Sequence, residues 1–188
     1  MGGAEQSAAH LRCDERAMIS AAYVQTMARY NTWQNLNVYD AAANLSDAQR
    51  KENRGAFFGS IHATLNHILW ADQMWLMRFG AAPQPVARTI PEGLVQFEEW
   101  NALARERQRF DAHIQGWADG LDASALTGDL KWFSGSAGRE VSASRALLVV
   151  HLFNHQTHHR GQVNALLTGF GINPGITDLP FGPVVSVG

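Results

Sequence analysis

Four of the eight histidines fall in one short run, His151-Leu-Phe-Asn-His155-Gln-Thr-His158-His159. Residues four apart on a helix share a face, with Cβ atoms about 5–6 Å apart. A His-x-x-x-His pair can therefore aim two imidazoles at one ion, each ring nitrogen ~2.0–2.1 Å from a zinc. The spacing occurs twice, as His151/His155 and His155/His159, and His155 belongs to both pairs. Leu148, Leu152, His155, His159, Gln162 and Leu166 form one inward-turned stripe of such a helix. Two imidazoles on a buried stripe are costly without a partner, and a metal ion supplies one. A lone buried histidine is more commonly satisfied by a carbonyl or a carboxylate; the pairing on a core-facing stripe is what favours a metal. Spacing does not choose between His151 and His159 as the second ligand.

A two-histidine site is incomplete, so another element must contribute. The stretch Thr64-Leu-Asn-His67-Ile-Leu-Trp-Ala-Asp72 offers His67, with Ala63, Ala71 and Met74 on its side leaving room for an ion. His62 lies five residues back and points elsewhere. His10 and His113 stand in polar contexts that read as solvated. Three nitrogen ligands, with the remaining positions left to water, describe a catalytic metal site rather than a closed structural one.

The elements that must position these residues are four helical stretches, over about 17–43, 57–79, 92–117 and 144–168. A loop at 46–55 precedes the second stretch, and Gly80 with Pro83 and Pro85 stops it. Leu94, Phe97, Leu103, Phe110 and Ile114 supply the apolar side of the third. Gly169 and Gly171 close the fourth. Residues 130–133 and 139–141 flank Ser-Gly-Ser-Ala-Gly and read as a short hairpin or an irregular loop. The expectation is an all-α chain, a four-helix bundle with that hairpin or loop before the last helix. Residues 17–188 make one domain after a frayed start at 1–16, and the Gly/Pro-rich tail from Asn173 lies over the surface or meets another subunit. Gly161, mid-helix at about 1 kcal/mol against Ala, suggests a close helix contact. Trp70 and Trp75 read as core.

With 188 residues, 46% of them apolar, the chain can bury a core. Its net charge of −2 and the lack of a Lys/Arg cluster argue against a nucleic-acid partner. No apolar run approaches the ~18 residues of a membrane span. A single cysteine, Cys13, excludes an intramolecular disulfide and fits a cytoplasmic setting.

Residues 59–72, Gly-Ser-Ile-His-Ala-Thr-Leu-Asn-His-Ile-Leu-Trp-Ala-Asp, together with Asn154-His155-Gln-Thr-His-His159-Arg-Gly-Gln162 and Thr177-Asp-Leu-Pro-Phe181, carry a resemblance. The chain resembles the DinB/YfiT-like superfamily of metal-binding four-helix proteins, in its DinB branch, over about residues 20–181. The resemblance implies a metal triad of His67, His155 and His159, and so selects His159 over His151. It implies thiol S-transfer or hydrolysis on a small electrophile, since the wider superfamily holds thiol S-transferases, mycothiol-dependent isomerases and hydrolases. One divalent ion, zinc or nickel, and a low-molecular-weight thiol are the implied cofactors, and a homodimer the implied assembly. The alternative is a non-catalytic metal-binding stress-response protein.

Metal-bound histidines usually donate their second N–H to a carboxylate or carbonyl, which makes Asp72, Asn154 and Gln162 candidate supports, with capping or solvation the ordinary alternative. Arg160 reads as an anion-binding residue for substrate or, more ordinarily, as the partner of a buried carboxylate.

Overall fold

The structure is a computed structural model that describes residues 18–135 and 137–183. The frayed start expected at 1–16 and Cys13 lie outside the described residues. In order come α1 (Ala21–Ala43), α2 (Asp47–Lys51), α3 (Ile61–Arg78), α4 (Ile90–Gly93), α5 (Trp100–Asp119), β1 (Asp129–Ser134), β2 (Arg139–Ser144) and α6 (Arg145–Gly169). Short 3-10 turns lie at Ala123–Leu126 and Leu179–Phe181.

Serines set most of the helix starts. Ser20 accepts from the Tyr23 amide at 3.2 Å, Ser60 from Ala63 at 3.2 Å and Ser144 from Leu147 at 3.4 Å. Each satisfies an amide that the first turn leaves orphaned, worth ~1 kcal/mol. Ser46 and Gln49 cap each other reciprocally, which is why the expected loop at 46–55 contains the single-turn helix α2.

The third helical stretch is broken. Residues 94–99 leave the helix because α3 side chains take up their backbone groups. Asn66 Oδ1 accepts from the Phe97 amide at 2.8 Å, while Asn66 Nδ2 donates to the Phe97 carbonyl at 3.0 Å. His62 Nε2 meets the same carbonyl at 2.8 Å. Leu94 and Phe97 therefore belong to a strap across α3, and the helix resumes only at Trp100.

Of the hairpin or irregular loop expected before the last helix, the structure has the hairpin, so the chain is mostly rather than purely helical. The residues before α6 pair as an antiparallel two-stranded sheet, with Trp132 opposite Val141. The fold is mostly helical with this one hairpin, and no helix among the described residues is long and apolar enough to cross a membrane. Helix α1 packs on α5 and α6, and α3 packs on the same two. Between them lie Val24, Leu65, Leu69, Leu76, Leu103, Ile114, Leu152 and Leu167, all buried. Each such side chain contributes roughly 1.5–3 kcal/mol of burial. Gly161 faces open space rather than another helix, so the close contact expected there does not occur. The tail crosses α1, where Tyr30 donates to the Thr177 carbonyl at 2.7 Å and Gln34 to that of Ile176 at 3.0 Å.

One layer of the interior is polar. Arg107 of α5 pairs with Asp72 of α3 at 2.7 Å and with Asp111 at 2.8 Å. Asn31 and Asn35 of α1 donate to Asp111 at 3.1 and 2.9 Å. Arg160 of α6 donates to Asn31 and, at 3.3 Å, to Asn35. Two carboxylates and two guanidiniums thus tie together all four long helices.

Candidate metal centre

Packing of α3 on α6 brings His67 up to the stripe that carries His155 and His159. One ligand atom from each of the three lies within 4.8 Å of the others. Nε2 of His67 and Nε2 of His155 face each other at 3.1 Å, close to the ~3.3 Å that two nitrogens keep in a tetrahedral zinc shell. The His159 ring sits 4.8 Å from that of His67 and 4.5 Å from that of His155, between centroids.

The environment keeps these rings neutral, as ligands must be. Burial, and after it the neighbouring His159, pushes His67 down to about 4. Burial and then the surrounding imidazoles push His155 down to about 3, and burial lowers His159 as well. Among the described residues no carboxylate compensates them. Nδ1 of His67 and of His155 is buried without a hydrogen-bond partner. His159 is supported: its Nδ1 lies 2.9 Å from Gln162 Oε1, so the ring donates there and leaves Nε2 free as a ligand. Phe58, just before α3, packs over His67 at 4.1 Å and His159 at 5.3 Å. A buried set of neutral nitrogens with unmet donor and acceptor capacity fits a divalent ion.

Histidines outside the triad have other partners. The His151 ring stands 5.7 Å from that of His155 and packs edge-on against Trp75 at 5.1 Å. His62 is held by the Phe97 carbonyl. His113, expected to be solvated, is half-buried, and its Nε2 meets the Ala81 carbonyl at 2.7 Å. His10 lies outside the described residues. Among the candidate supports, only Gln162 touches a triad ring. Asn154 is exposed on α6, and Asp72 is drawn into the ion pair with Arg107. Arg160 is buried and pinned to α1 by Asn31 and Asn35, so the core takes up its guanidinium and a substrate cannot.

A cavity of about 590 Å³ opens beside the triad, walled by His67, His155, Trp70, Trp75, Trp132 and Arg78 among others. Trp70 and Trp75 are buried, as core residues would be, yet each also lines this space. The α3 part of the wall follows from helical spacing, since positions 67, 71, 74 and 78 share a face. The contribution of Trp132 does not, because it depends on how the hairpin folds back onto α3. A second cavity of about 630 Å³ flanks α3 near Gln96 and Phe97 and holds none of the three converging histidines.

Comparison with known proteins agrees with this architecture. The chain is 25% identical over 156 residues to the protein DinB of Bacillus subtilis (strain 168), covering 79% of this chain and 87% of that protein. A crystal structure of a DinB-like protein from Bacillus cereus ATCC 10987 superposes with a TM-score of 0.59 at 17% identity, covering 77% of this chain and 91% of that one. The sequence profile of the DinB family matches residues 18–184, and the chain belongs to that family.

Proposed function

We propose that this chain is a metal-dependent enzyme built on a four-helix bundle, carrying out thiol transfer or hydrolysis on a small electrophile. His67, His155 and His159 would hold one divalent ion, zinc or nickel. The observation that carries this reading is the convergence of three neutral imidazoles at the edge of a cavity large enough for a small molecule. Among the described residues no Asp, Glu or Cys joins the three histidines, so the protein's own ligand set is of the open, catalytic kind.

A divalent ion held there would supply Lewis acidity, bringing a water or a low-molecular-weight thiol toward its nucleophilic form near neutral pH. The chain's residues do the positioning. Gln162 orients the His159 ring, while Phe58 and Trp70 pack against His67 and keep water from that side. Cytoplasmic residence and a homodimer belong to the same proposal.

The test is elemental analysis of protein purified without added ions, followed by a screen of thiol transfer with glutathione-like thiols and of simple ester hydrolysis. About one equivalent of metal is expected in the parent protein, and less than a tenth of that in His155→Ala. Full metal content in His155→Ala would overturn the site. Metal bound without turnover would instead favour a non-catalytic metal-binding role in stress response.

A further inference from the structure

The cavity beside the triad has an unbalanced charge. In a chain of net charge −2, this space is lined by two arginines, Arg78 and Arg88, and by no aspartate or glutamate. Arg88 is exposed at the rim and close to Glu92, whose carboxylate feels its charge. Arg78 is different. Its guanidinium carbon lies 4.6 Å over the Trp75 ring and 5.8 Å from that of Trp132, and no ion pair or hydrogen bond engages it among the described residues. It is half-buried, a setting in which a cation ordinarily acquires an anionic partner. The same cavity is walled by Trp70, Trp75 and Trp132, and Trp70 is locked there by a 2.9 Å bond from its indole N–H to the Ala87 carbonyl.

We propose that this cavity binds a small organic anion, a carboxylate on a flat apolar body, with Arg78 holding the carboxylate and the tryptophans the body. The inference deepens the enzymatic reading and rests on it for the reaction, but the residues it invokes lie outside the triad. Eleven positions separate His67 from Arg78 on α3, on the order of 16 Å along a helix axis. Arg78 folds back over Trp75, one turn toward the histidines, which leaves a span on the order of 10 Å, the length of a two-ring carboxylate.

The experiment is calorimetric binding of 2-naphthoate and of the neutral 2-naphthylmethanol to metal-free and to zinc-loaded protein. The metal-free state matters because zinc alone would attract a carboxylate. Metal-free parent protein is expected to prefer the naphthoate by about tenfold or more, the scale of a charge-assisted contact. Arg78→Gln should reduce that preference to less than twofold while zinc content stays unchanged, and Arg78→Lys should retain part of it. Trp132→Ala should weaken both probes alike. Equal affinity for the two probes, no binding of either, or an undiminished preference in Arg78→Gln would overturn the proposal. The two readings fail separately: a preference that persists in protein unable to bind zinc would leave anion binding standing without the metal centre. Normal zinc content with no preference would do the reverse.

Discussion

Two polar regions are buried among the same helices, and they differ in whether the chain itself balances their charge. In the layer of Asp72, Arg107, Asp111 and Arg160, each carboxylate faces a guanidinium or an amide, and positive and negative charges are equal in number. The Arg107 guanidinium is desolvated, yet Asp111 and Asp72 raise its pKa above the ordinary value. In the histidine cluster, among the described residues, the rings meet no counter-charge, two ring nitrogens face each other, and two others have no hydrogen-bond partner. A polar layer whose charges balance within the chain reads as scaffold, even though Asp72 Oδ1 and Arg107 Nε find no hydrogen-bond partner among the described residues. A polar cluster that stays open, beside a cavity, is arranged for something the chain does not supply.

The largest expected effect breaks the closed layer. Arg107→Met leaves Asp72 and Asp111 buried without their shared cation, and should cost about 3–5 kcal/mol. For a domain of this size that is a fall in Tm of roughly 10 °C or more in a thermal melt. His155→Ala in metal-free protein should cost less, about 1 kcal/mol, since it removes only the contact with His67 Nε2 and leaves no buried charge unpaired. Similar losses from both variants would erase the distinction between the two regions.

Acid should sharpen it. In metal-free protein His67 and His155 stay neutral down to about 4 and about 3, whereas in the unfolded chain they take up protons below about 6.5. A histidine whose folded pKa is depressed stabilises less as pH falls, so these two rings should pull stability down from about pH 6.5 toward pH 4, against the opposite slope of Asp72, which burial raises to about 6. For His67 alone the linkage is at most about 3 kcal/mol, less where the ring still meets solvent. Denaturant melts at pH 7.5, 6 and 5 measure it. A His67→Ala/His155→Ala double variant should show a flatter profile; an unchanged slope would locate the acid sensitivity elsewhere.

What the sequence made legible follows from how local each signal is. The histidine stripe of α6 and the inward face of α3 are periodic within single helices, so His67 and His155 could be proposed before any contact was known, whereas the choice of His159 over His151 comes from the family resemblance and not from spacing. The closed layer was not legible. Because they lie near its ligands in sequence, Asp72 reads as a support for the site and Arg160 as a substrate contact or the partner of a bundle carboxylate. Their real partners, Arg107, Asn31 and Asn35, come from helices whose facing is set only by packing. The break at residues 94–99 was hidden for the same reason. Leu94 and Phe97 keep a helical rhythm, and only Asn66 and His62 of another helix explain why the backbone departs from it. The hairpin was located to within a few residues, but its turn toward Trp75, and hence the third tryptophan of the cavity, is a tertiary fact.

Gln162 is where the two regions come closest in character, and it carries the smallest effect. Its Oε1 accepts from a triad ring, at 2.9 Å from His159 Nδ1, and its Nε2 reaches His158 at 3.2 Å. Accepting that N–H fixes which nitrogen of His159 keeps its lone pair and in which direction it points. Removal of such a support typically lowers metal affinity 10- to 100-fold, roughly. Because Gln162 is only half-buried, the lower end is expected: Gln162→Leu should bind zinc about tenfold more weakly, with its metal-free melting temperature unchanged. Gln162→Glu, which keeps an acceptor, should restore or tighten binding. Competition with a chromophoric chelator reads all three proteins. Parental affinity in Gln162→Leu would mean that packing by Phe58 alone holds the His159 ring, and that the histidine cluster is open on every side.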